Sequence, residues 1–239
     1  MRHLKGDQSR QGDNTLAWSP RRLAAACGII GTIFLLLYFG TPALFPKLSG
    51  LIYGGTPTTA QIVQVGAKYH VLLAIGSWLQ GTGALLCVVF FLAVVEMAEA
   101  SDSLAGRLVL LGSAVLVGVV CAEMVFTLSW AHAAVAGEAS SAQAAYDLMA
   151  RFIQVFPIVP ASTVYLALAA ALQAGRPVLA PIFTRLALGL GIAFFIVGLL
   201  GLFTPLAGAG SAALSGLQAV WIFMAAASLR RPRLSVATR

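Results

Sequence analysis

The sequence predicts an all-α fold, a polytopic transmembrane bundle of six helices with both termini on the cytoplasmic side. Three observations predict it. Hydrophobic residues make up 59% of the chain and charged residues 10%, with a mean hydropathy of +0.91, which places the chain among membrane proteins. Six apolar stretches approach the ~20 residues needed to cross a ~30 Å hydrocarbon core. Lys and Arg gather on alternate connecting segments, as flanks retained in the cytoplasm do.

The stretches are 23–45, 71–95, 108–134, 152–174, 186–203 and 212–229. All are continuously apolar and lack the period-two alternation of barrel strands, so a β-barrel is excluded. The first follows Arg21 and Arg22 and ends in Thr41-Pro42-Ala43-Leu44-Phe45-Pro46. No small-x-small cleavage site stands there, so it reads as a helix and not as a removed signal. Before the second, Thr58 followed by Gln61 resembles a capping box. Ile62, Val63, Val65 and Ala67 then predict that the second helix begins outside the membrane. The segment from 46 to 69 is either a cover over an outward-facing cavity or a connector lying on the headgroups.

The third stretch holds Glu123 and a small-xxx-small row of Ala114, Gly118 and Ala122, expected to admit a close neighbour. Gly28, Gly31, Gly76, Gly81, Gly83, Gly198 and Gly201 predict further close helix packing. The fourth is preceded by Asp147 and Arg151, four residues apart and spaced for an intrahelical ion pair. It also contains Pro157 and Pro160, which leave the carbonyls of Ile153 and Phe156 without their helical donors. The fifth is glycine-rich, and the sixth closes on Arg230-Arg231-Pro232-Arg233.

With the N-terminus inside, Lys47, Lys68 and Arg151 are outside, and the other twelve of the 15 basic residues are inside. The opposite orientation reverses that bias. The net charge of +7 is therefore a consequence of topology and does not point to nucleic acid. Residues 1–20 are expected to form a flexible cytoplasmic tail, 21–229 the transmembrane domain and 230–239 a basic cytoplasmic tail. Cys27, Cys87 and Cys121 lie in apolar runs at no framework spacing, and read as small hydrophobes.

Glu123 carries the strongest functional signal. A charged side chain at the centre of a spanning helix costs roughly 2.5–3.5 kcal/mol on insertion scales, so such residues face the protein interior and have partners. Depth along each helix, at ~1.5 Å per residue, names candidates. Glu123 stands 16 residues from Arg107, and the same offset reaches Gln80 from Glu96, Tyr38 from Arg22 and Pro160 from Arg176. Thr127 and Trp130 lie within about 40° of Glu123 on its helix, whereas His132 points roughly to the opposite side. The candidate polar site is thus Glu123, Gln80 and Tyr38 with Thr163 beside the prolines. Arg151 and Gln154 would form an approach for an anionic solute. The site is either a proton or cation site or a neutral carboxylic acid bonded to a neighbouring helix.

His70 and His132, 26 and 25 residues from the inner flanks of the second and third helices, form a second candidate. Imidazoles at matched height suit a metal or a haem iron. Interfacial histidines bonded to water are the plainer reading. No P-loop, nucleotide-binding glycine fingerprint, metalloprotease motif or nucleophile elbow is present, and no cofactor is assigned.

The Arg21-Arg22 start, the long first outer loop, Arg107 and Glu123 on the third helix and the glycine-rich fifth helix resemble a group of uncharacterised bacterial six-helix membrane proteins, over residues 20–229. That resemblance implies a multipass protein of a bacterial plasma membrane and no particular activity. Three classes follow: a small-solute or proton transporter with a wet cavity at Glu123, a membrane interaction or regulatory subunit with an exposed small-residue face, and a haem or metal redox protein using His70 and His132. The bilayer is the certain partner, and a partner protein or homo-oligomer stays open.

Overall fold

The computed structural model describes residues 19–41, 44–53, 57–201, 203 and 207–230; the expected tails fall almost wholly outside them. Among the described residues the chain forms nine α-helices and one π-helical turn, with no strand. Helix α1 (Pro20–Gly40) starts where Ser19 accepts from the Arg22 amide and Pro20 supplies a preset helical φ. Short helices α2 (Pro46–Tyr53) and α3 (Thr59–Lys68) follow. Thr58 and Gln61 form a complete capping box at the start of α3. A break at Tyr69, with φ −109° and ψ 18°, separates α3 from α4 (His70–Met97). Helix α5 (Leu104–Ala136) is capped by Ser103 and ends on Gly137, whose φ of 77° suits glycine alone at little cost. Helix α6 (Ala139–Phe156) runs through a π-turn at Pro157–Ala161 into α7 (Ser162–Ala174). Pro160 inside that turn is a sufficient cause for the interruption. Helices α8 (Pro181–Gly201) and α9 (Ala207–Arg230) complete the chain.

Helices α1, α4, α5, α8 and α9 are long and apolar enough to cross a membrane, while the apolar stretch Val159–Ala174 is shorter. They form a closed ring in which α1 packs on α4, α4 on α5, α5 on α6 and α7, α7 on α8, α8 on α9, and α9 back on α1. Lipid gives apolar surfaces no drive to leave it, so such contacts depend on close packing. Gly31 and Gly83 provide it between α1 and α4: a Cβ on either would stand 2.9 or 3.0 Å from the other's carbonyl oxygen. Gly112 does the same against Val164, and Gly191 against Leu166. The expected row on the third span is a correction. Ala114 and Gly118 are exposed, and Gly118 has open space around it. The α5–α7 contact passes through Gly112 on another side of the helix.

The ring has two unlike halves. At the end where α1 begins and α9 finishes, Arg21 Nε donates to the Leu229 carbonyl at 2.8 Å, and the Arg176 amide to the Ala98 carbonyl at 2.8 Å. Arg176 also pairs with Glu99 at 2.5 Å on the surface. This half is filled by Phe90, Phe91, Tyr165, Phe194 and Trp221, which meet edge-on or stacked; Tyr165 lies 5.6 Å from Phe91 and 5.5 Å from Trp221, centroid to centroid. The opposite half is closed by α2 and α3. Trp130 donates to the Ile62 carbonyl at 3.0 Å and Tyr146 to the Leu51 carbonyl at 2.7 Å, and Leu48, Leu51, Ile62 and Val65 are buried beneath them. Helices α2 and α3 therefore form a cap fixed to α5 and α6.

Candidate functional site

Beneath the cap lies a cavity of about 100 Å³ bounded by α1, α2, α4, α5, α6 and α9. That space admits several water molecules, each of which needs about 10–15 Å³ on this measure. Much of the wall is apolar, including Leu35, Leu48, Leu73, Leu116, Val120 and Met149. Two polar sides interrupt it.

The first side is Glu123. It is buried in the middle of α5, and Tyr38 Oη donates to its Oε1 at 3.0 Å. The Gln80 side chain, from α4, stands beside the same carboxyl and interacts with it as a hydrogen-bonding neighbour. The structure thus brings together Glu123, Tyr38 and Gln80, which the equal depths along α5, α1 and α4 place in one layer. Gly76 faces the Tyr38 ring, and a Cβ there would meet it at 3.4 Å, an ordinary packing contact. Thr127, one turn beyond Glu123, also lines the cavity and donates to the Glu123 carbonyl at 2.9 Å.

The second side comes from α9. Ser211, Ser215 and Gln218 face the cavity together, because spacings of four and three residues keep them on one helical face. Ser211 is 4% and Gln218 7% exposed, yet Ser211 Oγ and Gln218 Oε1 have no hydrogen-bond partner among the described residues. Sequence reasoning centred on charge passes over this wall, since none of the three residues is ionisable. The signal was nonetheless present. Three polar residues share one face of an apolar helix, and Ser215 stands 15 residues from Arg230, beside the layer of Glu123.

The remaining expected site residues lie elsewhere. Thr163 is half-buried off the cavity wall, and its hydroxyl donates to the Val159 carbonyl at 2.7 Å. That local bond satisfies it without a ligand. Pro160 is buried but does not border the cavity. Arg151 is exposed, and Asp147 accepts from Gln143 at 3.0 Å instead of pairing with it. Gln143 occupies the preceding turn, and an exposed ion pair adds little to displace it. The side chain of Gln154 lies outside the described residues. His70 and His132 are both exposed and away from the cavity, and His70 Nδ1 stands 2.9 Å from the Ala67 carbonyl on its own chain. No group of three or more metal-ligating side chains gathers among the described residues. Cys87 lines the cavity and Cys27 is buried elsewhere in the bundle, neither in a disulfide.

The site's electrostatics are simple. Glu123 is the only carboxyl on the described wall, and no Lys, Arg or His shares it. What the arrangement can do is hold a proton or accept hydrogen bonds from a small donor. No protein-family model, curated protein or solved structure matches the chain, so this geometry is the ground for any functional reading.

Proposed function

We infer that the chain is a six-span protein of a bacterial plasma membrane, with both termini cytoplasmic, that moves a small solute or proton through the cavity at Glu123. One observation carries the reading: a buried carboxyl at mid-helix, beside Tyr38 and Gln80, borders a largely apolar cavity and is not sealed in packed side chains. Intramembrane acids facing a cavity mark ion and proton pathways. Helix α6, the π-turn and α7 are read together as the sixth crossing, one interrupted span. The Arg-rich flanks support the orientation, and the architecture supports kinship with the bacterial group that the sequence resembles.

The test is proton flux into proteoliposomes, followed with an entrapped pH dye under an imposed potential. Wild-type protein is expected to conduct, and Glu123→Gln to lose at least tenfold while staying folded. Equal flux from the two proteins removes Glu123 from the pathway. A second reading, a membrane interaction subunit, is favoured by the outward row of Ala114 and Gly118 on α5, a surface on which another helix can pack closely.

A further inference from the structure

The cap and the cavity share their walls. Resting on the reading of the Glu123 cavity as a solute pathway, we propose that helices α2 and α3 are its outer gate. Two latches from α5 and α6 hold the gate shut, and it swings away about the helix break at Tyr69.

Three observations lead to a gate. First, the underside of the cap is the roof of the cavity. Leu48 of α2, Leu73 of α4 and Met149 of α6 belong both to the buried cluster beneath the cap and to the cavity wall. Lifting the cap and opening the cavity are thus one event. Farther from the cap, the described residues shut the space. Cys87 is the α4 wall residue most distant from the cap, and about one turn beyond it stand Phe90 and Phe91, fully buried against Tyr165 and Trp221.

Second, the cap is attached by a hinge and by bonds that water can replace. Helix α3 packs mainly on α5 and α6 and little on α4, its neighbour in the chain. Between α3 and α4 the backbone leaves helical geometry at Tyr69, with φ −109° and ψ 18°, and such element-terminal residues absorb the dihedral change of a hinge. Both latches run from a bundle side chain to a backbone carbonyl of the cap, Trp130 Nε1 to Ile62 at 3.0 Å and Tyr146 Oη to Leu51 at 2.7 Å. Leu51 is in the last turn of α2, where a carbonyl has no helical donor of its own. Water serves either carbonyl once the cap lifts, and exchanging a protein donor for water changes the free energy little. The outward side of α3 is already polar, with Gln61, Gln64 and Lys68 exposed.

Third, the closed seat is one glycine wide. A Cβ at Gly66 would stand 2.7 Å from Trp130 Nε1 and 2.7 Å from the Ala134 Cβ. A larger side chain there moves α3 off α5 or the indole out of its latch. Gly66 thus sets how closely the cap shuts, and it offers a place to wedge the cap open or to lock it.

The experiment reads the exposure of the cavity. The full chain in lipid nanodiscs carries Ser215→Cys on the cavity wall, with Cys27, Cys87 and Cys121 replaced by Ala. A small water-soluble methanethiosulfonate is added, and its adduct at position 215 is followed by peptide mass spectrometry. Gly66→Leu, a wedge under the cap, is expected to raise the rate at least tenfold. Tyr146→Phe and Trp130→Phe, which each remove one latch, are expected to raise it about threefold. Gly66→Cys with Ala134→Cys puts two thiols at the same contact, within about 1 Å of the Cβ separation that a disulfide spans. Oxidising that pair locks the cap and is expected to slow the reaction at 215 at least tenfold relative to the reduced pair, and to cut Glu123-dependent proton flux in proteoliposomes equally. Helical circular dichroism and monodisperse elution establish that each variant is folded. A cross-linked protein that reacts at 215 as fast as the reduced one overturns the gate. So do folded latch and wedge variants that all react like the parent, or a Glu123-dependent flux that the cross-link leaves intact. If the cross-link slows the reaction at 215 while Glu123→Gln conducts like wild type, the gate stands and the Glu123 pathway falls.

Discussion

The two halves of the ring use buried polar atoms in opposite ways. Around Phe90, Phe91 and Trp221, Tyr165 is 1% exposed and its hydroxyl has no partner among the described residues, but rings pack around it and it lies off the wall of the cavity beneath the cap. Around Glu123, Ser211 Oγ and Gln218 Oε1 are equally without partners among the described residues, but their residues line a cavity that also holds a carboxyl. The difference lies in what adjoins them, aromatic rings in the first half and a cavity bordered by Glu123 in the second. The aromatic half holds the helices together, and the hollow half is left to chemistry.

That division predicts unequal effects of substitution. The largest is Gly31→Leu, which forces a side chain into the Gly83 carbonyl 2.9 Å from the ideal Cβ position and separates α1 from α4. A loss on the order of 3 kcal/mol or more is expected, as for other overpacked contacts, read as a lower unfolding temperature or no folded protein in detergent. Trp130→Phe comes next: it removes the bond to the Ile62 carbonyl, a loss of about 1–2 kcal/mol. It should appear as faster backbone hydrogen exchange in α3 without change in the aromatic half. The smallest is Tyr165→Phe, which removes the unpartnered hydroxyl and keeps the ring contacts. It should leave the unfolding temperature unchanged or raise it by the equivalent of up to ~1 kcal/mol. A large destabilisation by that variant would show that the aromatic half contains a polar network and would blur the contrast between the halves.

The same contrast explains what was legible in the sequence. Long apolar runs identify α1, α4, α5, α8 and α9, because span length is set by the bilayer and not by neighbouring helices. The Glu123, Gln80 and Tyr38 layer could be found by counting depth, since straight antiparallel helices keep level residues level. Which side a helix presents to a neighbour was less accessible. Ala114 and Gly118 have the spacing of a packing row, but spacing alone does not say whether another helix lies against them, and among the described residues none does. Helix α6 begins at Ala139, well before the apolar stretch at 152, because its first turns are amphipathic and pack under the cap through Ala142, Tyr146 and Met149. The polar face of α9 escaped notice because Ser and Gln scarcely disturb a hydropathy profile, although three on one face do mark a wall.

The central claim, that the half containing Glu123 is hollow and reachable by water while the aromatic half is sealed, is tested most directly by thiol reactivity. In a protein with Cys27, Cys87 and Cys121 replaced by Ala, cysteine is placed at Ser215 on the cavity wall or at Ala225, fully buried ten residues further along α9. Each variant, in nanodiscs, is treated with a small water-soluble methanethiosulfonate. The account predicts that Ser215→Cys reacts at least tenfold faster than Ala225→Cys. Equal rates, or no reaction at either position, would contradict it.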